Sequence, residues 1–179
     1  MYNLTSDRFR LPPLLMKDTR MISDFFLRDV LESDLPIFFA YQLDPEANQM
    51  AAFTAKDPTN QEAFMSHWHR IMADPTIVIR TIVVDGQVAG SVSSYEEADH
   101  PEVTYWLGKS YWGKGLASQA LAEFLIRANP TRPIYARAAK DNSGSLRVLE
   151  KCGFRIIGED KGFANARGRE VEEFLLELH

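Results

Sequence analysis

Apolar positions along this chain follow two rhythms, and the places where one gives way to the other outline its elements. Phe64, Trp68, Ile71 and Met72 recur at helical spacing behind the breaker Pro58-Thr59-Asn60, which predicts a helix. Ser33 and Asp34 open another, through Ile37, Phe38, Phe39 and Tyr41. Between and after these, runs of β-branched and alternating residues predict strands at Phe25 to Val30, Ile77 to Val84, Gln87 to Tyr95, Glu102 to Gly108 and Ile134 to Ala138. Asp85-Gly86 joins the second and third as a two-residue hairpin turn. Leu116 to Ala128 is so densely apolar that its helix must be buried against a sheet, and Pro130 and Pro133 end it. Ser143 to Cys152 predicts a short helix closed by Gly153. Phe154 to Glu159 and Glu170 to Leu178 form a closing hairpin across a loop from Lys161 to Arg169. Residues 1–24, broken by Pro12-Pro13, read as an extension, and residues 25–179 as a single domain.

Strands mixed with single helices give an α/β (α+β) domain. Its early hairpin implies antiparallel pairs, and the helix between the strands at Val103 and Ile134 implies one parallel crossover. A chain of 179 residues can bury a core of its own. No run approaches the ~18 apolar residues of a membrane span, and the first residues lack a basic-then-apolar signal pattern. A single cysteine, Cys152, excludes an internal disulfide framework, so a reducing cytoplasm is the default compartment. Twenty-five acidic residues against 20 basic ones speak against a nucleic-acid partner and suit a cationic substrate, although a solubilising surface explains the balance equally well. Asn3-Leu4-Thr5 matches a glycosylation sequon, which has no meaning without secretion.

The chemistry concentrates in Tyr111-Trp112-Gly113-Lys114-Gly115-Leu116-Ala117, which links the strand Val103-Thr104-Tyr105-Trp106-Leu107 to the buried helix. A strand turning through two glycines into a helix leaves several backbone N–H groups pointing one way at the positive end of the helix dipole, an anion site suited to phosphate. Three ligands compete. A dinucleotide fingerprint needs a third glycine where Ser118 stands. A triphosphate loop fits the spacing Gly108 to Lys114, but Gly115 replaces the hydroxyl residue that binds Mg²⁺. The third is coenzyme A.

For that third reading the chain resembles the GNAT superfamily of N-acetyltransferases, in particular its RimJ/RimL-like branch. Tyr105-Trp106-Leu107 followed by Tyr111 to Gly115 matches the strand and pyrophosphate loop of that branch. Asn142, Ser145, Val148, Lys151, Gly153 and Phe154 match its second signature in order and spacing, and Glu172-Glu173-Phe174-Leu175-Leu176 its ending. The resemblance spans about Phe25 to Leu178. It departs at Ser110, where the family has Gln or Arg, and at Leu149, where many relatives carry a tyrosine acid. It implies a mostly antiparallel sheet whose central parallel pair splays around acetyl-coenzyme A, and acetyl transfer to a primary amine by direct attack in a ternary complex. The acceptor is a protein N-terminus or a small amine; no nucleic acid or membrane takes part, and a homodimer through the C-terminal strands is implied.

The same resemblance assigns roles. The backbone of Trp106 and Leu107 holds the pantetheine arm, with the Leu107 N–H nearest the carbonyl. Gly113, Lys114, Gly115, Leu116, Ala117 and Ser118 take the pyrophosphate, with Trp112 beside them among the cofactor-binding residues, although Lys114 reads equally as a solvated loop lysine. Asn142 bonds the coenzyme's amides or simply caps its helix. Glu102 is the candidate base, on one strand face with Thr104 and Trp106; the plain alternative is an exposed glutamate at a strand start. Ser145 is the candidate acid for the leaving thiolate, or a helix-start cap. An α-amino group near pH ~8 needs less help from a base than a lysine amine near ~10.4. A non-catalytic acyl-coenzyme A sensor on the same fold would keep Gly113, Gly115 and Asn142 without turnover.

Other residues carry less. His67 and His69 point different ways on one helix and form no joint metal site. His100 precedes Glu102 in a loop. Cys152 reads as a small buried side chain, Phe39, Phe64 and Trp68 as core, and Arg167 and Arg169 as solvated on the last hairpin.

Overall fold

A computed structural model describes residues 24–97 and 100–179. The extension predicted for residues 1–24, with its sequon and proline pair, lies outside the described residues except for Asp24. Among the described residues seven strands form one sheet: β1 (Phe25–Arg28), β2 (Val78–Val84), β3 (Gln87–Glu97), β4 (His100–Leu107), β5 (Ile134–Ala139), β6 (Arg155–Ala164) and β7 (Arg169–Leu178), in the order β1-β2-β3-β4-β5-β7-β6. Five α-helices accompany them among the described residues: α1 (Leu35–Gln42), α2 (Pro45–Ala51), α3 (Gln61–Ala73), α4 (Leu116–Glu123) and α5 (Ser143–Lys151). All strand pairs are antiparallel except β4 with β5, the crossover expected from the helix between them. No helix among the described residues is long and apolar enough to cross a membrane.

Period-two alternation divides the sheet's side chains. Val92, Val103, Ile134, Ala136 and Leu176 point to one face, where Leu116, Leu121, Phe124 and Leu149 of α4, its extension and α5 complete the main core. On the other face Leu35, Phe38 and Phe64 pack with Trp68 between α1, α3 and the sheet. Burying roughly ten large side chains of this kind supplies most of the driving force, at about 1.5–3 kcal/mol each.

Helix starts are set by short polar caps. Asp44, Asn60 and Asn142 accept backbone N–H groups at the starts of α2, α3 and α5. Asp34 plays a wider part: its buried carboxylate accepts both Arg28 guanidinium nitrogens at 2.6 and 2.8 Å, the Leu31 N–H at 2.9 Å and the Thr81 hydroxyl at 2.7 Å, tying β1, α1 and β2 together. Burial pushes that carboxyl up, but Arg28, Leu31 and Thr81 outweigh it and hold the group below the usual aspartate range.

The structure departs from the sequence expectation in four places. Helix α2 is an additional element, opened by Asp44 and Pro45. The helix expected through Ala128 is α-helical only to Glu123 and then widens into a π-turn over Phe124–Ala128, where the Asn129 N–H reaches the Phe124 carbonyl at 2.9 Å. The loop expected from Lys161 to Arg169 is mostly strand, and only Asn165–Arg167 and Gly168 make the turn. Alternating exposure on a sheet edge looks polar in sequence, which hid this extension of β6. Finally β4 begins at His100, so Glu102 is no strand-start residue.

Candidate active site

The parallel pair is the unusual feature of the sheet. β4 and β5 are in register at a single position, Glu102 opposite Tyr135, and diverge toward Leu107 and Ala139. A cleft of about 1010 Å³ runs through the opening, at the upper end of the roughly 300–1,000 Å³ usual for ligand pockets. On the α4/α5 face it is lined by Tyr105, Gly113, Gly115 and Ser145, and on the other by Glu102 and Arg137.

The glycine turn borders the first mouth. Gly113 and Gly115 have φ of +72° and +78°, conformations that side-chain-bearing residues resist, and Gly115 is the N-cap of α4. A Cβ built on either would meet nothing within 4 Å, so the backbone can be approached closely from the cleft. Leu116, 1 % exposed, anchors the helix start in the core, while half-buried Ala117 and Ser118 line the cleft. The Lys114 ammonium donates to the Ser110 carbonyl at 2.7 Å and lies 5.8 Å above the Tyr111 ring, so it closes its own loop. The Trp112 indole donates to the Leu107 carbonyl at 2.9 Å.

Trp106 and Leu107, paired in the sequence reading, are placed differently. The Trp106 carbonyl faces β3, since a Cβ on Gly90 would lie 2.0 Å from that oxygen. By strand alternation the polar backbone groups of Leu107 then face the cleft side, and those of Trp106 are committed to β3.

At the closed end of the splay sits a cluster of charge. Glu102, 7 % exposed, accepts the Arg137 Nε–H at 3.0 Å. The same guanidinium reaches Glu173, 6 % exposed, at 3.3 Å and Asp160 at 3.3 Å. The hydrogen bond to Glu102 keeps Arg137 firmly charged. Burial raises the Glu173 carboxyl above the usual glutamate range, with Arg137 opposing it. Tyr95, directly opposite Glu102 on β3, is raised by burial and then by the charge of Glu102.

Helix α5 supplies the other side. Asn142 Oδ1 accepts the Ser145 N–H at 3.0 Å and its Nδ2 donates to the Met50 carbonyl at 3.1 Å, so the side chain caps α5 and ties it to α2. The Ser145 hydroxyl lies 2.7 Å from the Tyr105 hydroxyl.

Comparison with known proteins places this geometry. Residues 24–155 match the family described as "Acetyltransferase (GNAT) domain". The chain belongs to the GNAT acetyltransferase family. Its enzyme class, acetyltransferase, and its cofactor, acetyl-coenzyme A, follow from that membership. A Bacillus licheniformis protein named "Uncharacterized N-acetyltransferase p20" is 28 % identical over 86 residues, 46 % of this chain and 48 % of that protein, so the match spans about half the length of this curated relative. Among solved structures, Mycobacterium smegmatis RimJ in complex with CoA-disulfide is 21 % identical, with a TM-score of 0.71 over 86 % of this chain and 81 % of that one. The spermidine N-acetyltransferase of Vibrio cholerae, in complex with CoA and spermine, is 16 % identical, with a TM-score of 0.72 over 86 % and 94 %. The microcin C7 self-immunity acetyltransferase MccE, in complex with acetyl-CoA and AMP, is 18 % identical, with a TM-score of 0.72 over 87 % and 92 %. At these identities the neighbours establish the GNAT fold.

Within this GNAT domain several residues differ from their sequence reading. Glu102 is buried and ion-paired, not exposed. Arg167 is not solvated: its side chain is 6 % exposed and donates to Asp141 at 2.7 Å and to the Gln49 carbonyl at 2.8 Å, clamping the last hairpin onto the end of α2. His100 is the first residue of β4 and packs on Tyr135 at 5.0 Å between ring centroids. Cys152 is half-buried, and burial raises its thiol to about 11, far from a nucleophile's range. His67 is lowered by burial, then by Arg70, while His69 pairs with Glu32 at 3.0 Å. Among the described residues no three His, Cys, Asp or Glu side chains gather as a metal site. The sequence reading missed Arg137 and Glu173. Both were signalled by charges on strands otherwise rich in buried residues, Ile134–Ala139 and Arg169–Leu178. It also missed Tyr95 and the walls that α2 contributes through Ala47 and Met50.

Proposed function

We propose that this cleft moves acetyl from acetyl-coenzyme A to a primary amine by direct attack, with both substrates bound together. The observation that carries the reading is the opening of β4 from β5, with the glycine turn at one mouth and the Glu102–Arg137–Glu173 cluster at the other. Donor and acceptor thus enter from opposite faces of one sheet and meet at the splay.

The residues present suit the coenzyme. The N–H groups from Gly113 to Ser118 take the pyrophosphate, and the open space above both glycines admits it. The Leu107 N–H serves as the donor to the developing oxyanion, and the strand edge aligns the thioester. Glu102 accepts the ammonium proton, directly or through water, and Ser145 protonates the departing sulfur.

The acceptor is a cationic amine. Glu102, Glu173 and Asp160 surround the single guanidinium of Arg137, which leaves the cluster with surplus negative charge to attract an ammonium. Both candidate classes, a protein N-terminus and a small amine such as a polyamine, carry that group. The spermidine N-acetyltransferase neighbour, in complex with CoA and spermine, supports the small-amine class. The homodimer reading rests on the outer edge of β6, where Ile157 and Phe163 are 54 % and 63 % exposed. Sedimentation at micromolar concentration tests it.

The decisive experiment is a thiol-release assay over peptides, polyamines and amino acids. Turnover with a cationic amine and intersecting initial-velocity lines are expected. Parallel lines would mean a covalent acetyl-enzyme and defeat the direct-attack mechanism. Coenzyme binding without release for any amine would leave a sensor in place of an enzyme.

A further inference from the structure

Tyr105 lies on the α4/α5 face of β4, packed against the main core, and its ring lines the cleft beside Ser145. Its hydroxyl is 2.7 Å from Ser145 Oγ and 3.4 Å from the Ser145 carbonyl, so the shorter and stronger contact is with the side chain. Burial raises the phenol to about 12, which keeps it protonated at any physiological pH. A phenol is a far better donor than an aliphatic alcohol, and the polarity of the pair follows: Tyr105 O–H donates and Ser145 Oγ accepts. Ser145 is itself held in place, its N–H on Asn142 Oδ1 at 3.0 Å. Helix α5 brings no phenol of its own to the cleft at the next turn, where Leu149 is 1 % exposed in the core.

From this contact we infer that Tyr105 is a positioning residue for the acid step, orienting and acidifying the Ser145 hydroxyl. The inference rests on the acetyl-transfer reading above. A serine accepting a hydrogen bond from Tyr105 has its own hydrogen turned away from the phenol, and in the proposed reaction that hydrogen is the one given to sulfur. When the C–S bond of the tetrahedral intermediate breaks, its electron pair stays on sulfur and the sulfur takes the Ser145 proton. The Oγ takes the Tyr105 proton across the 2.7 Å contact as it gives up its own, because a phenol is the stronger acid, and the charge rests on the phenolate oxygen. The proton the new amide nitrogen sheds returns to Tyr105 through Ser145, and no outside acid or base is consumed.

The test uses the full chain with acetyl-coenzyme A and the best amine from the thiol-release screen. Tyr105→Phe removes one oxygen from a packed ring. It is expected to lower kcat about 10- to 100-fold, with the coenzyme Kd by calorimetry and the amine KM within twofold of the parent. Ser145→Ala should lose at least as much, and adding Tyr105→Phe to Ser145→Ala should cost less than twofold more, because the two hydroxyls act as one unit. Full activity in Tyr105→Phe, or the same factor lost in both backgrounds, would overturn the inference. If Tyr105→Phe does not fold, Ser145→Thr and Ser145→Ala decide: Thr retains the hydroxyl and most of kcat, and equal activity of Ala and Thr defeats the proposal. Absence of turnover in the parent chain instead strikes the acetyl-transfer reading itself.

Discussion

Gly115→Ala separates what the backbone needs from what a ligand needs. At φ +78° an alanine stands in the left-handed region, which costs roughly 1–2 kcal/mol for a side-chain-bearing residue. There is no contact term to add, because a Cβ at Gly115 meets nothing within 4 Å. For a domain of this size that is a fall in Tm of roughly 2–8 °C, at 2–4 °C per kcal/mol. Gly86 and Gly168, at φ +73° and +60° with equally empty surroundings, carry the same conformational cost away from the cleft. Gly86→Ala and Gly168→Ala are therefore matched controls, and all three variants should melt within a few degrees of one another. Coenzyme binding should not match. The new methyl at Gly115 enters open space at the start of α4, where the proposed pyrophosphate site lies, so the coenzyme Kd should rise at least ~10-fold, about 1.4 kcal/mol. Calorimetry with coenzyme A, and with a pantetheine thioester that lacks the diphosphate, reads this directly. The loss should appear with the first and vanish with the second. Gly115→Ala binding coenzyme A as tightly as Gly86→Ala would refute the idea that these main-chain amides grip the diphosphate.

The remaining expectations concern the charged end of the cleft. Glu102→Gln keeps shape and removes the base: kcat should drop ~10²-fold or more while the coenzyme Kd stays within twofold. That loss should narrow as pH rises past the amine's own pKa, and a pH-independent deficit would take the base role away from Glu102. Glu173 has a folded pKa above its unfolded one, so its contribution to stability is fully present below ~4.5 and is lost as pH rises through the folded value. Glu173→Gln, which cannot ionise, should therefore gain on the parent between pH 4 and pH 7 in urea denaturation. A stability difference that is flat or shrinking over that range would contradict the assignment.

Much of this was legible in the chain, for physical reasons that can be named. The Asp85-Gly86 turn was readable because it demands two residues at positive φ, and both adopt it, at +50° and +73°. The parallel crossover was readable because a helix between two strands leaves little other choice. The glycine turn was readable because only glycine tolerates its backbone. What stayed hidden was long-range. Arg137 and Glu173 are two positions apart in register on neighbouring strands, and Glu102 joins them only because β4 and β5 still touch at that one pair. Nothing local marks a glutamate as buried when its partner lies 35 positions away. Arg167 was misread for the same reason, since its partners, Asp141 and the α2 carbonyls, belong to other elements.

The two ends of the splay explain each other. Where β4 and β5 still meet, Arg137 of β5 binds the buried carboxylates of Glu102 on β4 and Glu173 on β7, so three strands are pinned by one guanidinium. Removing the guanidinium would leave two buried carboxylates, Glu102 and Glu173, unpaired, which holds the apex shut. At the other end the Leu107 carbonyl, which would otherwise seek a partner on β5, is satisfied by the Trp112 indole at 2.9 Å. The sheet can therefore stay open without an orphaned acceptor. That leaves the Leu107 N–H, turned to the same side by strand alternation, as the polar group the strand end presents to the cleft. A lone donor on a fixed strand, with its neighbouring acceptor already occupied, favours a carbonyl oxygen gaining negative charge over a neutral amide that would ask for both. In the proposed reaction the Trp112 indole therefore serves the chemistry as well as the fold, because it occupies the Leu107 carbonyl and leaves the Leu107 N–H for the oxyanion.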